Sequence, residues 1–294
     1  MRIKEKHIPI LFLLPCIVTL LAITIFPLVY SLSISLTNYE LGRPIELRFV
    51  GLENYWTILF EDSRFLIAIS NTFIFVASTI TIQFFFGLAL ALVLNRSFKG
   101  RSFIVAVVLL PMMIVPVATG YIWWMLYDVS YGPFNYILEV AKLTTHEAPV
   151  KWLADPSLSL LCVIVTDCWQ YTPFMMLVLL AGLQSIPVEP YEAAQIDGAG
   201  RWQTFRHITL PLLRSAIAVA ILIRTIDAFK IFDLVYLMTY GGPGTSSEVA
   251  SFYTYLNGFR FFRMGYASAL SYIILLIVTL FTTIFLRFLR RVER

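Results

Sequence analysis

From His7 to Tyr39 the chain carries no Asp, Glu, Lys or Arg. That run exceeds the roughly 20 apolar residues a helix needs to cross a bilayer and is too long for a signal-peptide core of about 7 to 15 residues. With no small-x-small cleavage pattern, it reads as an uncleaved first spanning helix over about 9–33, which Pro9, Pro15 and Pro27 bend or end. Further uncharged runs lie at Phe65–Asn95, Ser102–Tyr127 and Met264–Leu286. They predict helices over 67–94, 102–127 and 264–287, the second with a kinked or unwound middle at Pro111 and Pro116. Two more are expected at 158–181, interrupted by Asp167, and at 212–237, which carries several charges. The fold class is therefore an all-α membrane protein of six transmembrane helices, with residues 1–294 expected to form one domain.

Composition supports this reading. Only 14% of the 294 residues are charged, against about 25% in an average soluble domain, and 59% are hydrophobic. A mean hydropathy of +0.80 is more apolar surface than a soluble core of this length hides. The net charge of +4 reports orientation rather than nucleic-acid binding, because Lys and Arg fall in short inter-helix segments. With the N-terminus in the cytosol, that side holds 13 of the 22 basic residues, the outer side seven and the fifth helix two. The positive-inside rule thus places both termini and the loop 186–211 in the cytosol. The expected outer loops, 34–65, 128–157 and 239–262, bear aromatics and are expected to fold against an external partner.

Enzyme signatures are missing. Gly241-Gly242-Pro243-Gly244 lacks the Gly-Lys-Ser/Thr ending of a phosphate loop and reads as a tight turn. His146-Glu147 is not followed by the second His of a zinc helix; His7, His146 and His207 are scattered over both sides. Cys16, Cys162 and Cys168 all fall in apolar stretches and read as small core hydrophobes. No catalytic residue, metal ligand or cofactor is expected.

Charges at membrane depth cost about 2.5–3.5 kcal/mol each on insertion scales and need partners or a wet cavity. Arg224, Asp227, Lys230 and Asp233 recur every three residues with alternating sign. They read either as an internally paired ladder that fixes helix packing or as the border of a polar cavity, and one face can serve both ends. A second cluster, Asp167-Cys168-Trp169-Gln170-Tyr171-Thr172-Pro173-Phe174, combines carboxylate, amide and aromatic groups around a helix-breaking proline. It suits a neutral polyol, whose C–H faces meet rings and whose hydroxyls meet polar groups; interhelical packing of the aromatics is the alternative.

The one long polar segment between spans on the side where positive charge gathers runs from Glu192-Ala193-Ala194 through Asp197-Gly198 to Ile208-Thr209-Leu210-Pro211. Pro190 suits a first helical position and Gly198 and Gly200 permit a break, so two short helices are expected. Trp202, Phe205 and Ile208 fall along one stripe of the second, beside Arg201 and Arg206. A loop resting on the lipid surface is the competing reading, but such helices carry many Lys on one face.

Glu-Ala-Ala, three residues, Gly, nine residues, Ile-x-Leu-Pro resembles the signature of permease subunits of binding-protein-dependent ABC importers, and the chain fits it without a gap. The wider segment from Ile186-Pro187 to Ala199, with Phe49 to Tyr55 and Gly265 to Ala269, is similar to the sugar-importing, maltose-permease-like branch. The resemblance implies one half of a pseudo-symmetric pore, a second homologous permease subunit as heterodimer partner, a cytosolic ATP-binding subunit dimer and an extracellular solute-binding protein delivering a sugar or polyol. It implies residence in the cytoplasmic membrane of a prokaryote, among membrane lipid, with ATP hydrolysis in the separate subunit. Carried over by position, it implies a substrate pathway of Asp167, Gln170, Tyr171, Phe174, Arg224, Asp227, Ala228, Ile231, Met113 and Val117. It likewise implies ATPase coupling through Glu192, Ala193, Ala194, Asp197, Gly198, Trp202 and Phe205. Residue types differ from the maltose permease at most pathway positions, so specificity does not carry over. An ion-gradient-driven secondary transporter using Asp167 or Asp227 is the alternative, and a membrane scaffold without transport is a third reading.

Overall fold

The computed structural model describes residues 8–42, 47–145 and 147–292, with no account of the side chains of 8–11 and 288–292. Arg2, Lys4, Lys6, His7, Arg43, His146, Arg294 and the side chains of Arg290 and Arg291, which entered the charge and histidine readings, lie outside the described residues. Among those residues the protein is helical, its only β features being isolated bridges at Thr37 with Phe49 and Thr145 with Ala148. Five helices are long and apolar enough to cross a membrane, or six if one sharply bent pair counts as a single span. The chain divides into two compact units, Met1–Phe65 with Tyr253–Ile277 and Leu66–Phe252 with Val278–Arg294.

In the first unit, α1 (Ile8–Leu20) runs through a π turn, Leu21–Ile25, into α2 (Phe26–Ser35). The wide turn has a cause in Pro27, which has no N–H for the ladder and whose ring crowds the carbonyl four residues back. The same device recurs at the π turn Phe205–Thr209 just before Pro211. The most apolar window of the first span has no buried residue, and Cys16, expected in a core, is exposed on it, as suits a helix surrounded by lipid or a partner chain. After the short α3 (Glu53–Trp56), Asp62 caps α4 (Ser63–Leu94). Its Oδ1 accepts the backbone N–H groups of Arg64 and Phe65 at 3.0 Å. Its Oδ2 accepts the hydroxyls of Tyr253 at 2.6 Å and Tyr266 at 2.5 Å. Burial pushes the Asp62 carboxyl up, but these four hydrogen bonds outweigh it and hold the group below the usual carboxylate value. A Cβ on Gly265 would stand 2.2 Å from the Thr37 carbonyl, so only glycine lets residues 37–39 cross the start of the last helix.

In the second unit, α5 (Arg101–Met113) and α6 (Pro116–Leu126) meet at a 93° bend. Pro116 begins α6, and Val115 before it is extended, the conformation a residue preceding proline prefers. The short α7 (Pro133–Val140) leads to α8 (Ser159–Gln184), the centre of the unit, against which α5, α6 and later helices pack. Close approach uses small residues: a Cβ on Gly87 would lie 2.8 Å from Met175 and one on Gly182 2.5 Å from the Ala216 Cβ. After α9 (Glu189–Ile196) and α10 (Arg201–Thr204), the π turn Phe205–Thr209 joins α10 to α11 (Leu210–Ala228), so Arg201 to Ala228 is one long rod.

The single helix expected over 212–237 is instead two. α11 ends at Ala228, and α12 (Asp233–Met238) starts after a four-residue break. The Ser251 hydroxyl donates to the Ile231 carbonyl freed there, and Asp233 in the first turn of α12 suits the positive end of that helix dipole. The Gly241 to Gly244 segment is a turn, closed by Ser247, whose hydroxyl donates to the Gly242 carbonyl at 2.7 Å. Beyond it, α13 (Ala250–Tyr255) and α14 (Met264–Val292) complete the chain.

Candidate substrate cavity and coupling loop

Two polar side chains near the middle of their helices, Gln83 on α4 and Asp167 on α8, meet Arg224 from α11 in an apolar bundle. All three are buried. Arg224 Nη2 forms an ion pair with Asp167 Oδ2, and its Nε donates to Gln83 Oε1 at 2.8 Å. Gln83 Nε2 in turn donates to Asp167 Oδ2 at 2.8 Å and to the Asp167 carbonyl at 3.2 Å. The guanidinium carbon lies 4.2 Å from the centroid of the Tyr171 ring, a cation–π contact. Each burial cost is thus offset by a partner, as a charge in this environment requires.

The network borders a cavity of about 300 Å3 between the two helix breaks. Asp167, Gln170 and Tyr171 come from α8, Arg224 and Asp227 from α11, and Lys230 to Leu234 from the second break into α12, with Pro116 at the first break. Gln170 Nε2 donates at 2.9 Å to the carbonyl of Ile114, which the α5–α6 break has released from its helix. Gln170 Oε1 is buried without a partner among the described residues. The charges near 230 are no ladder: Arg224 pairs with a different helix, and among the described residues no ion pair joins Asp227, Lys230 or Asp233. They bracket the helix break and face the cavity.

The polar loop forms a second site. Pro190 opens α9 and Asp197 ends it, Gly198 then turning the chain at φ +73°. Gly200 precedes α10, and its N–H donates to Gln203 Oε1 at 2.8 Å. Tyr191 ties α9 back to the long rod through its hydroxyl, 3.2 Å from Thr209 Oγ1. Between the two helices lies a groove of about 490 Å3 lined by Ala193, Ala194, Asp197 and Gly198 from one side and Gln203, Thr204 and His207 from the other. Trp202 is 68% exposed on the outer surface of this loop.

Residues 83–294 match the family described as binding-protein-dependent transport system inner membrane component. The chain belongs to that family. Over 291 residues it is 36% identical to the trehalose/maltose transport system permease protein MalF of Thermococcus litoralis, covering 98% of this chain and 95% of the relative. It is likewise 36% identical over 286 residues to the trehalose transport system permease protein SugA of Mycobacterium tuberculosis, covering 97% and 90%. Among solved structures it is similar to a chain of a bacterial ABC transporter involved in the import of the acidic polysaccharide alginate. That match has a TM-score of 0.85 at 27% identity and covers 99% and 98% of the two chains. This is a multi-pass membrane permease of all-α fold.

In the permease, six of the ten expected pathway positions line the cavity: Asp167, Gln170, Tyr171, Arg224, Asp227 and Ile231. The other four do not line it: Phe174 is half-buried on α8, Ala228 is buried, and Met113 and Val117 flank the α5–α6 break with exposed side chains. Sequence reasoning missed Gln83, whose signal is its place as the lone Gln within an uncharged 65–95 run, and Pro116 and Phe232 as lining residues. In the loop, Glu192, Ala193, Asp197, Gly198 and Trp202 are exposed and Ala194 is buried. Phe205, placed beside Trp202 on one stripe, packs against the core cluster around Leu179, Leu183 and Leu213, and its ring still lies 5.6 Å from that of Trp202.

Proposed function

We propose that the permease forms half of the translocation pathway for a carbohydrate in an ATP-driven importer. It pairs with a second homologous permease, receives cargo from an extracellular solute-binding protein, and is driven by an ATP-binding subunit dimer that grips the loop 186–211. The reading treats 1–294 as one permease domain in a prokaryotic cytoplasmic membrane, with both termini and the loop in the cytosol, as the basic-residue count favours. The observation that carries it is the polar, partly charged cavity inside an apolar bundle, beside a Tyr ring and a free Gln acceptor. The relatives named for trehalose and maltose support the cargo class.

The geometry also supplies a route for force. A 28-residue rod, Arg201–Ala228, starts in the loop groove and ends at the cavity; at 1.5 Å per residue it spans roughly 40 Å. ATP-driven movement of subunits holding α9 and α10 would rotate this rod and carry Arg224 with it, while the breaks beside the cavity act as joints. A gradient-driven carrier is the competing reading, with Asp227, which faces the cavity and has no ion pair among the described residues, as coupling carboxylate.

The test is uptake by proteoliposomes holding the permease and the subunits recovered with it from mild detergent. Import that requires ATP, persists when ion gradients are collapsed, and is lost when Glu192 and Gly198 are disrupted together with ATPase recovery supports the importer. Gradient-dependent import without a bound ATPase refutes it.

A further inference from the structure

Similarity leaves the charge of the cargo open, because the structure it resembles belongs to an importer of an acidic polysaccharide, while sequence relatives are named both for the neutral disaccharides trehalose and maltose and for the sulfonated sulfoquinovosyl glycerol. The side chains of this cavity are more decisive. Asp167, Asp227 and Asp233 face it against Arg224 and Lys230, leaving one net negative charge. The one guanidinium is not available to an anion. It is ion-paired with Asp167, bonded to Gln83 and covered on one face by Tyr171, with its side chain only 3% exposed. Lys230 has an aspartate three residues away on each side.

Gln170 bears on the hydroxyls of the cargo. The Ile114 carbonyl only accepts hydrogen bonds, so the Gln170 amide must present its NH2 to it, and Oε1 is left without a donor. Of the groups a cargo presents, a sugar hydroxyl carries the donor that Oε1 lacks. An acidic sugar carries such hydroxyls too, so Gln170 favours a polyol without sorting its charge; the sorting comes from the added negative charge of a carboxylate, sulfonate or phosphate in a negative cavity.

We propose that Asp167 makes the permease selective for uncharged polyols over acidic ones by cancelling Arg224, so that Lys230 stands as the one uncancelled cation of the lining, outnumbered by Asp227 and Asp233, and the wall stays net negative. The proposal rests on the carbohydrate reading above. The effect is electrostatic, and at this depth water does little to screen it.

The permease complex, purified with its partner subunits and without the solute-binding protein, is titrated with trehalose and maltose and with their acidic counterparts trehalose 6-phosphate and maltobionate. The wild type is expected to favour the neutral member of each pair at least tenfold. Asp167→Asn frees the Arg224 charge and is expected to move that ratio at least tenfold toward the acid; adding Arg224→Gln returns it. Because Asp167→Asn leaves a buried cation and lowers recovery of the complex, Ile231→Lys is measured alongside. It adds one positive charge to the cavity wall without touching the pair, and is expected to move the ratio in the same direction. A wild type that favours the acids, or neutral binding with the ratio unmoved in both variants, overturns the proposal alone. A wild type that binds none of the four sugars and imports none with ATP overturns the carbohydrate reading, and the proposal with it.

Discussion

Neutralising one member of the Arg224–Asp167 pair should harm the protein more than neutralising both. The two side chains are 3% and 1% exposed, so solvent does not screen whichever charge is left behind. Removing one partner of such a pair costs about 3–5 kcal/mol, a range that overlaps the about 2.5–3.5 kcal/mol of a lone charge at bilayer depth. Arg224→Gln and Asp167→Asn are each expected to destabilise by about 3 kcal/mol. In the double variant no charge is buried, and what remains is weakened hydrogen bonding to Gln83, worth about 0.5–1.5 kcal/mol per bond. The double variant should therefore lose only about 1–2 kcal/mol, far short of the sum. Thermal melting of the purified complex reads this, since 1 kcal/mol moves the midpoint by about 2–4 °C at this chain length. Each single variant should melt about 6–12 °C low and the double about 2–8 °C low, with the ATPase retained in all three by whatever permease is recovered and uptake impaired in the singles. A double variant that melts below either single would show that the pair is not what holds these charges, and would refute the reasoning.

Gly182→Ala should destabilise by about 1–3 kcal/mol, because its Cβ would stand 2.5 Å from the Ala216 Cβ and 2.8 Å from Leu213 Cδ1; adding Ala216→Gly should restore much of the folded yield in detergent. Gly198→Val places a β-branched residue at φ +73°, a strain of about 1–2 kcal/mol even though nothing lies within 4 Å. It should lower ATPase recovery and ATP-driven uptake while membrane insertion, read by fractionation, is unchanged; normal coupling would count against the loop assignment. The Asp62 carboxyl titrates below its ordinary 3.8 in the folded protein, so the stability it contributes is present above that value and drains away as pH falls through the lower, folded one. Melting midpoints of Asp62→Asn should accordingly be low near neutrality and converge on wild type below about pH 4; a constant gap down to strongly acid pH would show that ionisation is not what matters.

The lipid-facing part of the fold was legible because water-to-hydrocarbon transfer dominates it. Uncharged runs become helices wherever they are long enough, and the boundary at Leu94 falls just before Arg96 and Lys99. Prolines were legible as breakers, and Pro116 accounts for the 93° bend. The end of α11 was not. Phe229-Lys230-Ile231-Phe232 contains neither Gly nor Pro, and its charge spacing fits a continuous helix as well as a broken one. What stops the helix is tertiary: Ser251, twenty residues on, takes the Ile231 carbonyl, a partner no local pattern announces.

The cavity was half legible for a related reason. Asp167 and Arg224 stand out because a charge in an apolar run demands an explanation, but the sequence offers Arg224 a nearer partner, Asp227, one turn away. Proximity along the chain lost to burial. Asp227 is exposed to the cavity and stays hydrated, whereas Asp167 lies in the packed interior, where an unpaired carboxylate is far more costly. The cation therefore goes to the carboxylate that needs it most, and Gln83, neutral and so inconspicuous, completes the site by bonding both. It follows that Asp227 and Lys230 are the charges free to act on whatever enters the cavity, while Asp167 and Arg224 set the field in which they act.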